Sequence, residues 1–196
     1  MNTTQLYCIL CVSLLGNLGL GLSLLRSHKK GKFLLFKSRI DELTGILNRF
    51  ACIDEINRRI KDSKDTGLQA LFLIDLDNFK QINDTYGHRT GDDVLRFLSK
   101  RMREEFDEHA ILGRWGGDEF LIFLSGIREY EEVEQAAVRL NRLITGEIPG
   151  VPERISISIG IVIAKPGEDF SRLMQRADQA LYYVKNHGKN SFRLDL

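Results

Sequence analysis

The first twenty-five residues contain no Asp, Glu, Lys or Arg, so all of the chain's Lys+Arg (28) and Asp+Glu (27) fall beyond them. Cysteine and proline are scarce throughout, with three of each. Three cysteines build no disulfide framework, and as a set they lack the spacing of a zinc site. Three prolines leave little room for a Pro-rich linker. A formal net charge of +1 excludes a strongly basic nucleic-acid-coating protein, because phosphate neutralisation needs clustered excess Lys and Arg. No DNA or RNA partner is therefore expected. Hydrophobic content of 43% and charged content of 28% sit near globular averages and exclude both wholesale disorder and a multi-pass membrane protein. A length of 196 residues fits one domain with a short extension.

The charge-free start is apolar. Leu6 to Leu25 reads LYCILCVSLLGNLGLGLSLL, with Asn17 as its one strongly polar side chain. As a helix rising ~1.5 Å per residue, this stretch spans ~30 Å, the thickness of a bilayer core. A buried core helix and a cleaved signal peptide are the rival readings. A signal peptide wants a basic n-region and a small-residue cleavage site. Met1 to Gln5 carry no basic side chain, and no A-x-A pattern follows. The pattern predicts an uncleaved transmembrane helix over 6–25. Arg26, Lys29, Lys30 and Lys32 follow at once, which places that end and everything after it in the cytoplasm. Residues 1–5 then form a short extracytoplasmic tail, and residues 26–40 a basic juxtamembrane linker or helix. Phe33, Phe36, Ile40 and Leu43 make a stripe that suits either a brief coiled coil or a helix packing on its own domain.

The remainder reads as mixed α and β. Asn48 can cap a helix running to about Ser63, within which Cys52 is expected to be an inert structural thiol. Leu68 to Asp75 is a short apolar run ending in acid, expected as a buried central strand. Residues 78–84 suggest a short helical turn, and 91–107 an amphipathic helix. Residues 110–115 and 120–124 are strand-like and flank Gly116-Gly117-Asp118-Glu119, a hairpin signal. A helix over 129–144, a strand over 155–163, a helix over 170–186 and a last strand over 191–194 complete the order α-β-α-β-β-α-β-α-β. The expected class is α+β: a ferredoxin-like, polymerase-palm-like sheet with a central β-hairpin and helices packed on one side.

Acidic residues stand where strands end. Asp75 closes an apolar strand, and Asp77 lies on the same side while the strand persists. Asp118 and Glu119 sit at a hairpin tip, where Gly116 and Gly117 permit a tight turn and close backbone approach. If the first strand lies beside the hairpin, three or four carboxylates converge at one sheet end. Unpaired, they repel; hard oxygen ligands of this kind suit Mg²⁺ shared with substrate phosphates. Such a group can serve phosphoryl transfer. A solvated acidic turn is the plain alternative.

The motifs now resemble a family. Arg114-Trp115-Gly116-Gly117-Asp118-Glu119-Phe120 resembles the signature of GGDEF-domain diguanylate cyclases, which condense two GTP into cyclic di-GMP and release two pyrophosphates. Asp41 to Arg49 (DELTGILNR) is similar to the family's opening motif, and Asp75 to His88 (DLDNFKQINDTYGH) to its metal and guanine segment. Gly91 to Leu95, Ser158-Ile159-Gly160, Ala177 to Tyr182, Lys185 and Gly188-Lys189-Asn190 continue the match, so that residues 41–196 form the GGDEF domain. The resemblance implies that Asp75, the Leu76 carbonyl, Asp118 and Glu119 bind Mg²⁺, with Mn²⁺ as a substitute. It implies Asp118 as the base for the attacking ribose 3′-hydroxyl, Glu119 beside it, and Lys80 stabilising charge on the α-phosphate. Asn83 and Asp92 match the guanine readers, and His88 a further substrate contact. Phe79, Gly116 and Gly117 match positions around the nucleotide, and Lys185 and Lys189 its phosphate-binding positions. His88 as a helix cap, and the two lysines as helix-end charges, are the structural alternatives.

An amide and a carboxylate together satisfy the guanine edge in a way adenine cannot match. The family's R-x-x-D product-inhibition motif is missing: Asp107-Glu108-His109-Ala110 stands there, so feedback through that site is not expected. The implied whole is a homodimer in the bacterial cytoplasmic membrane, with its catalytic domain in the cytoplasm and an unidentified membrane sensor as its partner. The competing readings are a catalytically silent guanine-nucleotide-binding module and a palm enzyme that uses another nucleotide.

Overall fold

The computed structural model describes residues 39–61, 67–148 and 151–195. The expected tail, transmembrane helix and most of the basic linker (1–38) lie outside these. No helix among the described residues is long and apolar enough to cross a membrane.

The described chain begins with a tight turn. Asp41 Oδ1 accepts from the Thr44 amide at 2.9 Å and from its hydroxyl at 2.7 Å. The turn delivers a two-residue strand, β1 (Leu47–Asn48), and helix α1 (Arg49–Lys61). As expected, Asn48 caps that helix, its Oδ1 accepting from the Ala51 amide at 3.0 Å. Next come β2 (Leu68–Leu76), α2 (Phe79–Tyr86) and α3 (His88–Glu105). The hairpin β3 (Ile111–Gly116) and β4 (Glu119–Ile127) leads to α4 (Tyr130–Ile144). A small separate hairpin, β5 (Gly146–Ile148) and β6 (Val151–Ile155), precedes β7 (Ile157–Ile163), α5 (Phe170–Asn186) and β8 (Phe192–Asp195).

Six strands form one sheet in the order β1-β3-β4-β2-β7-β8. The pairs β3/β4, β4/β2 and β2/β7 are antiparallel, and the two outer pairs are parallel. β2 is buried along almost its whole length because it lies between β4 and β7 with both faces covered, which is why its sequence runs apolar without alternation.

The helices occupy both faces of the sheet, which corrects the expected one-sided packing. Successive β2 side chains point to opposite faces. Ala70, Phe72, Ile74 and Leu76 pack with Val94, Leu95 and Leu98 of α3 and with Val133 and Leu140 of α4. Leu71 and Leu73 pack with Cys52 and Ile56 of α1 and with Leu173, Ala177 and Leu181 of α5. Burial pushes the Cys52 thiol up to about 12, so it stays protonated and inert.

Candidate active site

The sheet brings the acidic strand ends together. In the β2/β4 register Asp75 stands directly opposite Glu119, and the Leu76 amide donates to the Asp118 carbonyl at 3.3 Å. Directly paired residues have Cβ atoms ~5 Å apart and share one face. The signature turn is Gly117-Asp118, with Gly117 at φ 53°, a left-handed conformation that favours glycine. Arg114 holds that turn from beneath, its Nη2 and Nε donating to the Gly117 carbonyl at 2.8 and 3.1 Å. The same guanidinium reaches Asp41 at 3.4 Å, so the opening turn and the signature turn share one cation.

Three carboxylates at this sheet end feel one another. Burial pushes the Glu119 carboxyl up, and the charges of Asp75, Asp118 and Asp178 push it further against the pull of Arg49. Burial raises the Asp75 carboxyl as well, with Asp118 and Asp77 adding to it and the Lys185 ammonium opposing. Among the described residues no three His, Cys, Asp or Glu side chains close around one point as a ready metal cage. The donors nevertheless fit a hard cation in kind, and a cation already sits against two of them. Lys185 Nζ lies 2.6 Å from Asp75 Oδ1 and 3.5 Å from the Leu76 carbonyl.

Asp77 does not join that group. β2 ends at Leu76, and Asp77 turns inward, only 4% exposed. It accepts from the Ser156 and Ser158 hydroxyls at 2.7 Å each, from the Asn190 amide at 3.0 Å and from Lys185 Nζ at 2.8 Å. Burial alone would raise its carboxyl; these donors outweigh it and hold the group below its usual range.

The remaining expected site residues lie on α2, α3 and the loop after α5. Phe79 and Lys80 open α2, Phe79 partly buried and Lys80 exposed. Asn83 is half-buried where α2 meets α3, and Asp92 lies in the next helix beyond the Gly87 turn. Gly91 permits this crossing: a Cβ there would collide with Asn83 Oδ1 and stand 3.0 Å from its Cγ and 3.1 Å from Phe79 Cζ. His88 is exposed at the first position of α3, and the N-cap is Gly87, so His88 does not cap the helix. Lys189 Nζ donates to Asn78 Oδ1 at 2.7 Å. Sequence reasoning gave no role to Arg114 beyond the signature, nor to Asp77 as a buried anchor; the one local signal for the second was the Asp-x-Asp spacing.

The family model described as "Diguanylate cyclase, GGDEF domain" matches residues 38–191. The chain belongs to the GGDEF family. Diguanylate cyclase DosC of Escherichia coli is 36% identical over 159 residues, covering 79% of this chain and 35% of that protein. The GGDEF chain thus spans about a third of the length of that curated relative. Among solved structures, the GGDEF domain of DgcB from Caulobacter crescentus in complex with c-di-GMP aligns at TM-score 0.70 with 31% identity, over 80% of this chain and 92% of that one. Diguanylate cyclase SiaD of Pseudomonas aeruginosa, solved with its activator SiaC, aligns at TM-score 0.74 with 26% identity, over 98% of this chain and 75% of that one.

Proposed function

We propose that this GGDEF domain is a diguanylate cyclase that condenses two GTP into cyclic di-GMP in the cytoplasm, as a membrane-anchored homodimer. The observation that carries the reading is the β2/β4 register, which sets Asp75 opposite Glu119 beside the Asp118 turn. Each domain holds one GTP. The ribose 3′-hydroxyl of one attacks the α-phosphate of the other; the new P–O bond forms as the α–β anhydride breaks and pyrophosphate leaves. Asp118 takes the hydroxyl proton, and Lys80 faces the charge that develops at the α-phosphate. The Asn83 amide donates to and accepts from the guanine edge and the Asp92 carboxylate accepts from its N1–H and exocyclic amine, with His88 and Phe79 beside the nucleotide and Lys185 and Lys189 on its phosphates. Gly116 and Gly117 leave room for close backbone approach. Asp75, the Leu76 carbonyl, Asp118 and Glu119 would hold Mg²⁺, or Mn²⁺ in its place, which when bound supplies charge neutralisation at the phosphate oxygens.

One domain offers half of this geometry, so turnover requires two chains to face each other. A catalytically silent guanine-nucleotide-binding module is the second reading, but none of the signature or metal positions is degenerate, which favours turnover. The full chain incubated with Mg²⁺ and GTP or ATP separates the readings. GTP-dependent cyclic dinucleotide, falling about 10²–10⁴-fold in Asp118→Asn as expected for loss of a general base, supports the cyclase. Guanine-nucleotide binding without turnover supports the silent module. Preference for ATP contradicts the assignment of Asn83 and Asp92.

A further inference from the structure

Asp77 is a buried carboxylate that the proposed chemistry does not use. Its two oxygens accept four hydrogen bonds. Its four donors come from four separate places: the strand break before β7 (Ser156), β7 itself (Ser158), helix α5 (Lys185) and the loop after α5 (Asn190). That loop is held in an uncommon shape. Gly188, Lys189 and Asn190 have φ of 107°, 61° and 46°, so two consecutive non-glycine residues adopt the left-handed region. Such backbone persists only where its surroundings fix it. Asp77 Oδ2 fixes it from one side through the Asn190 amide, and Asn78, itself at φ 58°, fixes it from the other through Lys189 Nζ. The turn that ends β2 and the loop that follows α5 are therefore latched together, once on the Asn190 amide and once on the Lys189 ammonium.

We propose that Asp77 is a positioning residue. It holds the Lys185 ammonium by a direct ion pair and the Lys189 backbone through Asn190, and so sets both cations where a nucleotide's phosphates arrive. Asp77 itself touches neither metal nor substrate. Its buried, fully partnered carboxylate holds Lys185 from the inner side at 2.8 Å, while Asp75 meets the same ammonium from the more exposed side at 2.6 Å. The inference rests on the reading of Lys185 and Lys189 as phosphate-binding residues.

Nucleotide binding tests it without requiring turnover. Dissociation constants for GTP and GMP are measured by calorimetry for the full chain and for Asp77→Asn, which keeps an acceptor but removes the charge. Losing a charge-assisted bond should weaken GTP on the order of tenfold. GMP, held mainly through its base, should change little, so the GTP-to-GMP affinity ratio falls. Ser158→Ala leaves the ion pair and removes one hydroxyl donor. It should give a smaller fall in the same ratio, and it carries the test if Asp77→Asn does not fold. An unchanged ratio, or equal weakening of both nucleotides, overturns the proposal and leaves Asp77 a general packing element. A wild type that binds GTP yet makes no cyclic dinucleotide defeats the cyclase reading alone, while the affinity ratio still decides the role of Asp77.

Discussion

At the scale of single residues the site stores repulsion. Glu119 is the clearest instance, because burial and three neighbouring carboxylates all raise its carboxyl. Between its ordinary value and that raised value the folded chain binds more protons than the unfolded chain, so stability falls as pH rises through this window and stays lower above it. Glu119→Gln removes the charge. The ligand-free variant should therefore melt higher than wild type at neutral pH, by ~2–4 °C for each ~1 kcal/mol of relief in a domain of this size. Its cyclase activity should collapse at the same time. A melting temperature equal to or below that of wild type, measured by calorimetry without nucleotide, contradicts the picture of strained carboxylates. Asp77 has the opposite sign. Its carboxyl is lowered, so the stability it contributes is present above the ordinary carboxylate range and is lost as pH falls through the lowered value.

At the scale of elements the glycines at crossings decide geometry. Gly91→Ala would drive a methyl into the Asn83 amide and against Phe79 where α2 meets α3. Overpacking of this kind costs about 1–3 kcal/mol. The expected result is GTP affinity reduced about tenfold or more, with guanine over adenine preference eroded, as competition binding would show. Preference and affinity equal to wild type would detach Gly91 from the guanine site.

The element scale is also where the sequence was most and least legible. Helices α4 and α5 follow from their amphipathic periodicity, and β2 from an apolar run closed by Asp75, because local pattern and tertiary burial agree there. The run 155–163 reads as one strand, yet the structure breaks it at Ser156, whose carbonyl accepts from the Asp77 amide at 2.9 Å and whose hydroxyl bonds the Asp77 carboxylate. That break is imposed by a partner 79 residues away, so no window along the chain could show it. The β5/β6 hairpin over 146–155 was not expected: of its residues only Ile155 fell within an expected strand. Packing on both sheet faces was obscured because ferredoxin-like order alone does not assign the small helix α1 to a side. Cys52 and Ile56 do so by meeting Leu71 and Leu73.

At the scale of the whole molecule, the proposed turnover requires two domains to meet. A single-pass anchor over 6–25 would confine the chains to two dimensions and raise their effective concentration. Specific activity of the full chain in dilute detergent should then fall as protein is diluted. Reconstitution into vesicles at a fixed protein-to-lipid ratio should make activity per chain independent of bulk dilution. Activity per chain that is constant in detergent across a hundredfold dilution range, about the span needed to separate dimer from monomer, would contradict catalysis between transiently paired domains. Product feedback belongs to this scale too. Asp107 accepts from the His109 amide at 3.0 Å, and the His109 carbonyl accepts from Arg59, so the segment standing in place of the R-x-x-D motif is engaged within the fold.

The most direct measurement is the stoichiometry of the reaction itself. The full chain is supplied with GTP and Mg²⁺, and pyrophosphate, orthophosphate and nucleotide products are quantified together by mass spectrometry and phosphorus NMR. A cyclase of the proposed kind yields cyclic di-GMP with two pyrophosphates released for each molecule formed, and Asp75→Asn yields no product. Release of GDP and orthophosphate, or a folded wild type that binds GTP and returns it unchanged, would contradict it.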